Sequence, residues 1–282
     1  MFRKYGLIGL VMVLFGEIFI FFHSAIGDYL FFALLWYGYI LLVDSIVYKL
    51  NRKSLLMNER KKFFALVLLS IAFWWVFEFF NLRIKNWHYV NILEPEWLTM
   101  SIAFSVVWPA IFESFYLLKS LHLFDKVKMK KRNITRRTIL VMEYIGVMML
   151  ILIFLRPKYF FSLTWLSVWF IIDPINYLHK KPSIIGYFKE GKLAVPMSLA
   201  LGSLLTGLFW EFWNYWAPIK WYYDLPFVGS FKIFEMPLLG YLGYLPFGWE
   251  VFAMYHFIFT LHEEEERAIK KIRKIEKKII HK

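Results

Sequence analysis

Apolar runs of nearly 20 residues alternate along the chain with short polar connections. YGLIGLVMVLFGEIFIFF and TILVMEYIGVMMLILIFL are two of them, and an α-helix of about 20 residues crosses a bilayer. The pattern predicts eight spans, at 5–23, 29–50, 63–81, 98–118, 138–155, 159–178, 193–216 and 233–260. The fold class expected is an all-α polytopic membrane helix bundle. The first run reads as a retained span and not a signal peptide, because no small-residue cleavage site follows it.

Charge then sets orientation. Of 34 Lys and Arg, 27 lie at the N-terminus, in connections 51–62, 119–137 and 179–192, and in the tail after 261, against 6 in the alternate connections. That asymmetry places both termini in the cytoplasm of a plasma (inner) membrane. The net charge of +13 therefore reports topology, and no nucleic-acid partner is implied. The tail HEEEERAIKKIRKIEKKIIHK carries Ile269, Ile272, Ile275 and Ile279 on one helical face. It reads as an amphipathic helix on the anionic inner leaflet, or as a solvated or partner-binding tail.

An internal repeat divides the chain. Trp36, Asp44, Tyr48 and Ser54 recur as Trp165, Asp173, Tyr177 and Ser183, at an offset of 129. Glu78 and Asn81 recur as Glu211 and Asn214, Trp87 and Tyr89 as Trp221 and Tyr223, and Pro109 and Glu113 as Pro246 and Glu250. The expected organisation is a first four-helix repeat with its basic linker over 1–137, a second over 138–261, and the tail at 262–282. Four spans per repeat give both halves the same orientation, related by an axis along the membrane normal.

The chemistry concentrates where the chain is greasiest. Composition is 60% hydrophobic and 22% aromatic, with no cysteine, which excludes disulfides, thiolate metal sites and iron–sulfur clusters. Walker, dinucleotide-binding and HExxH motifs are missing, and so are aspartate-rich DxxxD motifs. The histidines are scattered, so neither cofactor nor metal is implied. Yet GLFWEFWNYWAPIKWYYDLP, at 207–226, sets Glu211, Asn214 and Lys220 among nine aromatic residues.

A carboxylate at the bilayer centre costs roughly 2.5–3.5 kcal/mol on insertion scales. Structural readings exist for each group. Asp44 and Asp173 precede basic loops and could pair with Lys49, Arg52, Lys180 or Lys181. Glu113 and Glu250 follow a proline by four residues and could satisfy backbone groups freed by a kink. Glu78 with Asn81, and Glu211 with Asn214, share a helical face and could bridge helices. Trp87, Tyr89, Trp221 and Tyr223 read as an interfacial aromatic belt. Taken together, the polar groups read as lining an apolar cavity with aromatic walls, where indole faces stabilise a carbocation and a glutamic acid serves as general acid.

The second half, with WEFWNYW, KWYY, KIFEMPLLGYLGYLPF and MYHF, resembles a family of multi-pass membrane proteins from bacteria and archaea. More distantly, residues 30–260 resemble the lycopene cyclase domain of carotenoid synthesis. That domain is also duplicated, with a helical Glu, a Trp-x-Tyr segment and a Pro-then-Glu element. The elements here are Glu78, Trp87–Tyr89 and Pro109–Glu113, then Glu211, Trp221–Tyr223 and Pro246–Glu250. The cyclases carry Pro-x-Glu-Glu, whereas this chain has PAIFE and PFGWE. The resemblance thus implies the architecture and a prenyl-like ligand more than lycopene itself.

The function expected is a membrane enzyme acting on an isoprenoid or similar lipid by cyclisation, hydration or isomerisation. Glu211 and Glu250 are the expected acid and base, with Glu78 and Glu113 their counterparts. Asn214, Lys220, Trp221, Tyr223, Asn81, Trp87, Tyr89, Trp210 and Asp173 are expected to line the site. The alternatives are a lipid or small-solute carrier, in which carboxylates relay protons, and an envelope scaffold. The sequence specifies no oligomeric state.

Overall fold

The computed structural model describes residues 2–22, 25–227 and 231–259; the tail 262–282 lies outside them. The first half runs α1 (Lys4–Phe21), α2 (Ala25–Asn51), α3 (Leu55–Asn58), α4 (Arg60–Ile84), β1 (Trp87–Val90), α5 (Glu96–Phe104) and α6 (Val107–Ser120). The second runs α7 (Arg136–Leu155), α8 (Pro157–Phe160), a 3-10 turn (Phe161–Leu163), α9 (Thr164–Leu178), α10 (Ile184–Glu190) and α11 (Ala194–Trp216). It continues through β2 (Lys220–Tyr223), β3 (Lys232–Ile233), β4 (Met236–Pro237), a 3-10 turn (Leu238–Gly243) and a last helix, α12, over 244–259.

Among the described residues, six helices are long and apolar enough to cross a membrane: Lys4–Phe21, Leu30–Asn51, Arg60–Ile84, Glu96–Ser120, Arg136–Leu155 and Ala194–Trp216. The chain is a helical membrane protein. Its outer helices turn Leu7, Phe64, Leu68 and Leu140 outwards, the arrangement a lipid solvent favours. The run predicted at 233–260 departs from expectation. Its first third is a two-stranded ribbon and a 3-10 turn, and α-helix begins only at 244. Pro237, Gly240 and Gly243 explain this, since proline and glycine both disfavour helix interiors.

Small residues bring the helices close. A Cβ on Gly9 would lie 2.6 Å from the Gly38 carbonyl oxygen, so α1 and α2 meet backbone to backbone. A Cβ on Gly202 would lie 2.9 Å from the Phe115 amide nitrogen, which seats α11 against α6. Helix α6 is the centre of the bundle, and every residue from Val107 to Phe115 is buried.

The predicted fourth span is broken at 105–106. Pro109 has no N–H, and its ring clashes with the carbonyl four residues back, that of Ser105. Ser70 of α4 fills the break. Its hydroxyl donates to the Phe104 carbonyl and accepts the Trp108 N–H at 3.0 Å. A hydroxyl from a neighbouring helix thus stands inside one i→i−4 bond.

Candidate functional site

Two asparagines at the ends of long helices begin the site. The Asn214 amide donates to the Trp221 carbonyl at 2.8 Å and accepts the Trp221 N–H at 2.9 Å. Asn81 donates to the Trp87 carbonyl at 2.8 Å and accepts the N–H groups of Asn86 and Trp87 at 2.9 and 3.4 Å. Each side-chain amide behaves as a short piece of strand. Each holds the first tryptophan of a real strand against its helix, so these residues clamp the site from outside the cavity.

The clamped strands pair with each other. β1 and β2 are antiparallel, with Trp87 opposite Tyr223, His88 opposite Tyr222, Tyr89 opposite Trp221 and Val90 opposite Lys220. Side chains alternate across a strand. Trp87, Tyr89, Trp221 and Tyr223 all line one cavity, while the His88 and Tyr222 rings stack at 5.2 Å. The residues read from sequence as an aromatic belt or a cavity wall form the wall.

The cavity measures about 200 Å³ and lies between the halves, lined by Trp74 and Phe104 from one and Trp165, Trp210, Tyr244 and Phe247 from the other. The Trp74 and Trp210 rings stack at 5.5 Å. Thr206, Ser203 and Lys220 also reach the wall. The Lys220 ammonium is held 2.7 Å from Glu235.

Asp28 lines this wall, whereas Glu211 and Glu78 stand behind it. Fully buried Glu211 accepts at Oε1 from the hydroxyls of Tyr223 and Tyr244, at 2.6 and 2.7 Å. The Trp221 indole donates in turn to the Tyr223 oxygen at 2.8 Å. Half-buried Glu78 accepts at Oε1 from Tyr89 OH at 2.5 Å, Trp87 Nε1 at 3.0 Å and Trp74 Nε1 at 3.1 Å. All five donors to the two carboxyls line the cavity, and neither carboxyl does. Burial, joined by the charge of Glu211 whenever that carboxyl is ionised, holds the Tyr223 phenol well above its ordinary value. Burial and Glu78 do the same for Tyr89. Both phenols therefore stay neutral and carry a transferable proton.

The remaining predicted residues lie elsewhere. Glu113 and Glu250 are fully buried, with no hydrogen-bond partner for either carboxyl among the described residues. Neither lines the cavity, although Glu250 sits one turn below Phe247 of its floor. The proline break they were read as satisfying is filled by Ser70 in the first half. Asp173 is also remote from the cavity. Its carboxylate accepts the N–H groups of Ile184 and Ile185 at 2.8 and 2.9 Å. Asp44 accepts from the Leu56 N–H at 2.9 Å, the Ser54 hydroxyl at 2.8 Å and the Tyr5 hydroxyl at 2.5 Å. Asp44 and Asp173 thus cap the positive ends of the short helices α3 and α10.

Trp74 and Tyr244 are the functional residues missing from the sequence reading. Trp74 was legible, four residues before Glu78 and hence one helical turn away. Tyr244 lies in GYLGY, where the glycines read as helix packing. The signal for it is Gly207: a Cβ there would lie 2.7 Å from the Tyr244 ring.

No protein family, curated protein or solved structure matches the chain. The fold and the site themselves define a helical membrane protein with an aromatic cavity flanked by two carboxyls that accept hydrogen bonds from its tyrosines.

Proposed function

We propose that the chain is an integral membrane enzyme that isomerises or cyclises an isoprenoid or similar unsaturated lipid by moving protons across the cavity. The carrying observation is that buried Glu211 receives its hydrogen bonds from two tyrosines of the cavity wall. In the step proposed, a Tyr223 or Tyr244 O–H bond breaks as its proton adds to an alkene carbon. Glu211, entering as the acid, returns a proton to that oxygen. The carbocation left on the substrate faces indole rings, which attract cations.

A proton on the adjacent carbon then passes to the Tyr89 oxygen as the Tyr89 proton passes to Glu78. The C–H electron pair restores a double bond, giving an isomer. If a second double bond attacks the cation first, the product is a ring. Either outcome balances without a co-reactant.

The proposed topology is eight spans as two parallel four-helix repeats, with both termini in the cytoplasm. It is supported by matched contacts at matched positions, above all the two asparagine clamps and the two aspartate caps. A distant relation to the lycopene cyclase domain, read from the sequence motifs alone, is part of this proposal. The volume favours one end of a prenyl chain over a whole polyene.

The test is mass spectrometry of total lipids, with the chain expressed in a lycopene-producing host and deleted in its own. Glu211→Gln and Glu78→Gln serve as comparisons at matched membrane levels. A species that appears or vanishes with Glu211 supports the enzyme. An unchanged profile from a folded protein with native lipids present overturns it and leaves the carrier reading, in which a lipid changes place and not mass.

A further inference from the structure

One polar group in the cavity wall has lost the partner that its counterpart keeps. Ser203 matches Ser70 at the offset of 133 that relates Glu78 to Glu211. Ser70 spends its hydroxyl on the break between α5 and α6. In the second half the corresponding region is a 3-10 turn followed by α12, and the Ser203 hydroxyl has no hydrogen-bond partner among the described residues. It is buried to 1% exposure and lines the cavity.

Its neighbours are differently placed. The Thr206 hydroxyl, one turn on, donates to the Gly202 carbonyl at 2.9 Å and meets Ser114 at 2.7 Å. The tyrosine hydroxyls at 89, 223 and 244 are committed to Glu78 and Glu211. Thr99 is committed to the Leu93 carbonyl at 3.0 Å. A hydroxyl shut away from water without a partner is costly, and the cavity that Ser203 lines is where one can be supplied.

We infer that Ser203 is a ligand-binding residue and that the ligand is an oxygenated prenyl compound, an alcohol or a carbonyl, whose oxygen bonds to Ser203. The prenyl part of this identification rests on the function proposed above; the oxygen does not. Ser203 and Glu211 share α11 eight residues apart, about 12 Å at 1.5 Å per residue. The ligand's oxygen and its reacting carbon therefore sit at opposite ends of the cavity.

The test titrates the purified full chain, by quenching of tryptophan emission, with geraniol and with the hydrocarbon of the same skeleton lacking the hydroxyl. Wild type and Ser203→Ala are compared probe by probe. Losing one hydrogen bond should weaken geraniol about tenfold in Ser203→Ala and leave the hydrocarbon unchanged. Ser70→Ala is the folding control: it should lower thermal stability and leave the geraniol-to-hydrocarbon ratio as in wild type. Equal geraniol binding to wild type and Ser203→Ala would overturn the assignment, as would equal weakening of both probes, or binding of neither. Selective geraniol binding alongside an unchanged lipid profile would retain the Ser203 site and remove only the proposed chemistry.

Discussion

The carboxyl clusters around Glu78 and Glu211 share a plan and differ in their protons. Each has a glutamate one turn before an asparagine, and each asparagine clamps a Trp-x-Tyr strand. The Glu78 cluster is built from two indoles and one phenol, the Glu211 cluster from two phenols. The exchange is steric. Where the first half places Trp74, the second has Gly207, and the ring of Tyr244 occupies the space released. An indole N–H orients a carboxylate but does not give up its proton, whereas a phenol can pass one on. Under the function proposed, the second cluster, with two phenols, is the proton donor, and the first, with one phenol held between two indoles, is the proton acceptor.

The largest effect that would break this comparison is on turnover. Glu211→Gln should reduce product formation by about 10²–10⁴-fold, the usual worth of a positioned acid or base, and Glu78→Gln by less, because a carbocation gives up a proton more readily than an alkene takes one. Equal losses, measured as product per unit of folded protein, would remove the distinction between the clusters.

Next comes the steric exchange. Gly207→Ala places a methyl group against the Tyr244 ring, and overpacking of this kind costs about 1–3 kcal/mol. The variant should melt at a lower temperature and lose activity, while Trp74→Phe should affect activity less. A Gly207→Ala protein with unchanged melting and turnover would show that Tyr244 is free to move aside.

The clamps give a symmetrical effect of similar size on stability. Asn81→Ala and Asn214→Ala should each destabilise by about 1–3 kcal/mol, the cost of leaving buried backbone groups unpaired. Glu250→Gln provides the contrast, because no side chain among the described residues bonds its carboxyl; its melting temperature should not fall. The subtlest effect is on pH. Since the Tyr89 and Tyr223 phenols are raised in the folded chain, their contribution to stability is complete below about pH 10, the ordinary phenol value. It should be lost as pH rises beyond that, and Tyr223→Phe should make the melting temperature less sensitive between pH 9 and 11.

Most of the bundle was legible because membrane helices announce themselves by length and apolarity. Glu211, Asn214, Trp221 and Tyr223 were legible as a group for a related reason: ionisable groups are conspicuous in such a background. The ribbon was not. Its strands are four residues each and pair across more than 130 positions, and no local pattern encodes so distant a partner. WHYV and KWYY do alternate, but at a helix end that alternation also suits an interfacial belt. Asp173 was read as lining the site because it recurs at the position of Asp44, with an ion pair to the basic loop as the alternative, and neither reading looked for the helix start that it caps. The serine ten residues later, Ser183 as N-cap of α10, was the clue that a helix start lay within its reach. The helix predicted from 233 ignored three breakers in seven residues, Pro237, Gly240 and Gly243.

The register of the ribbon carries one last consequence. Exchanging its strands changes nothing: Trp87 faces Tyr223 just as Trp221 faces Tyr89. That is the rule of an isologous contact, in which one surface is its own complement. A single half, meeting a second copy of itself, would satisfy the same pairing with the same aromatic face. Joining two such halves in one chain replaces a collision between molecules with a tethered encounter, and the roof of the cavity then closes independently of concentration.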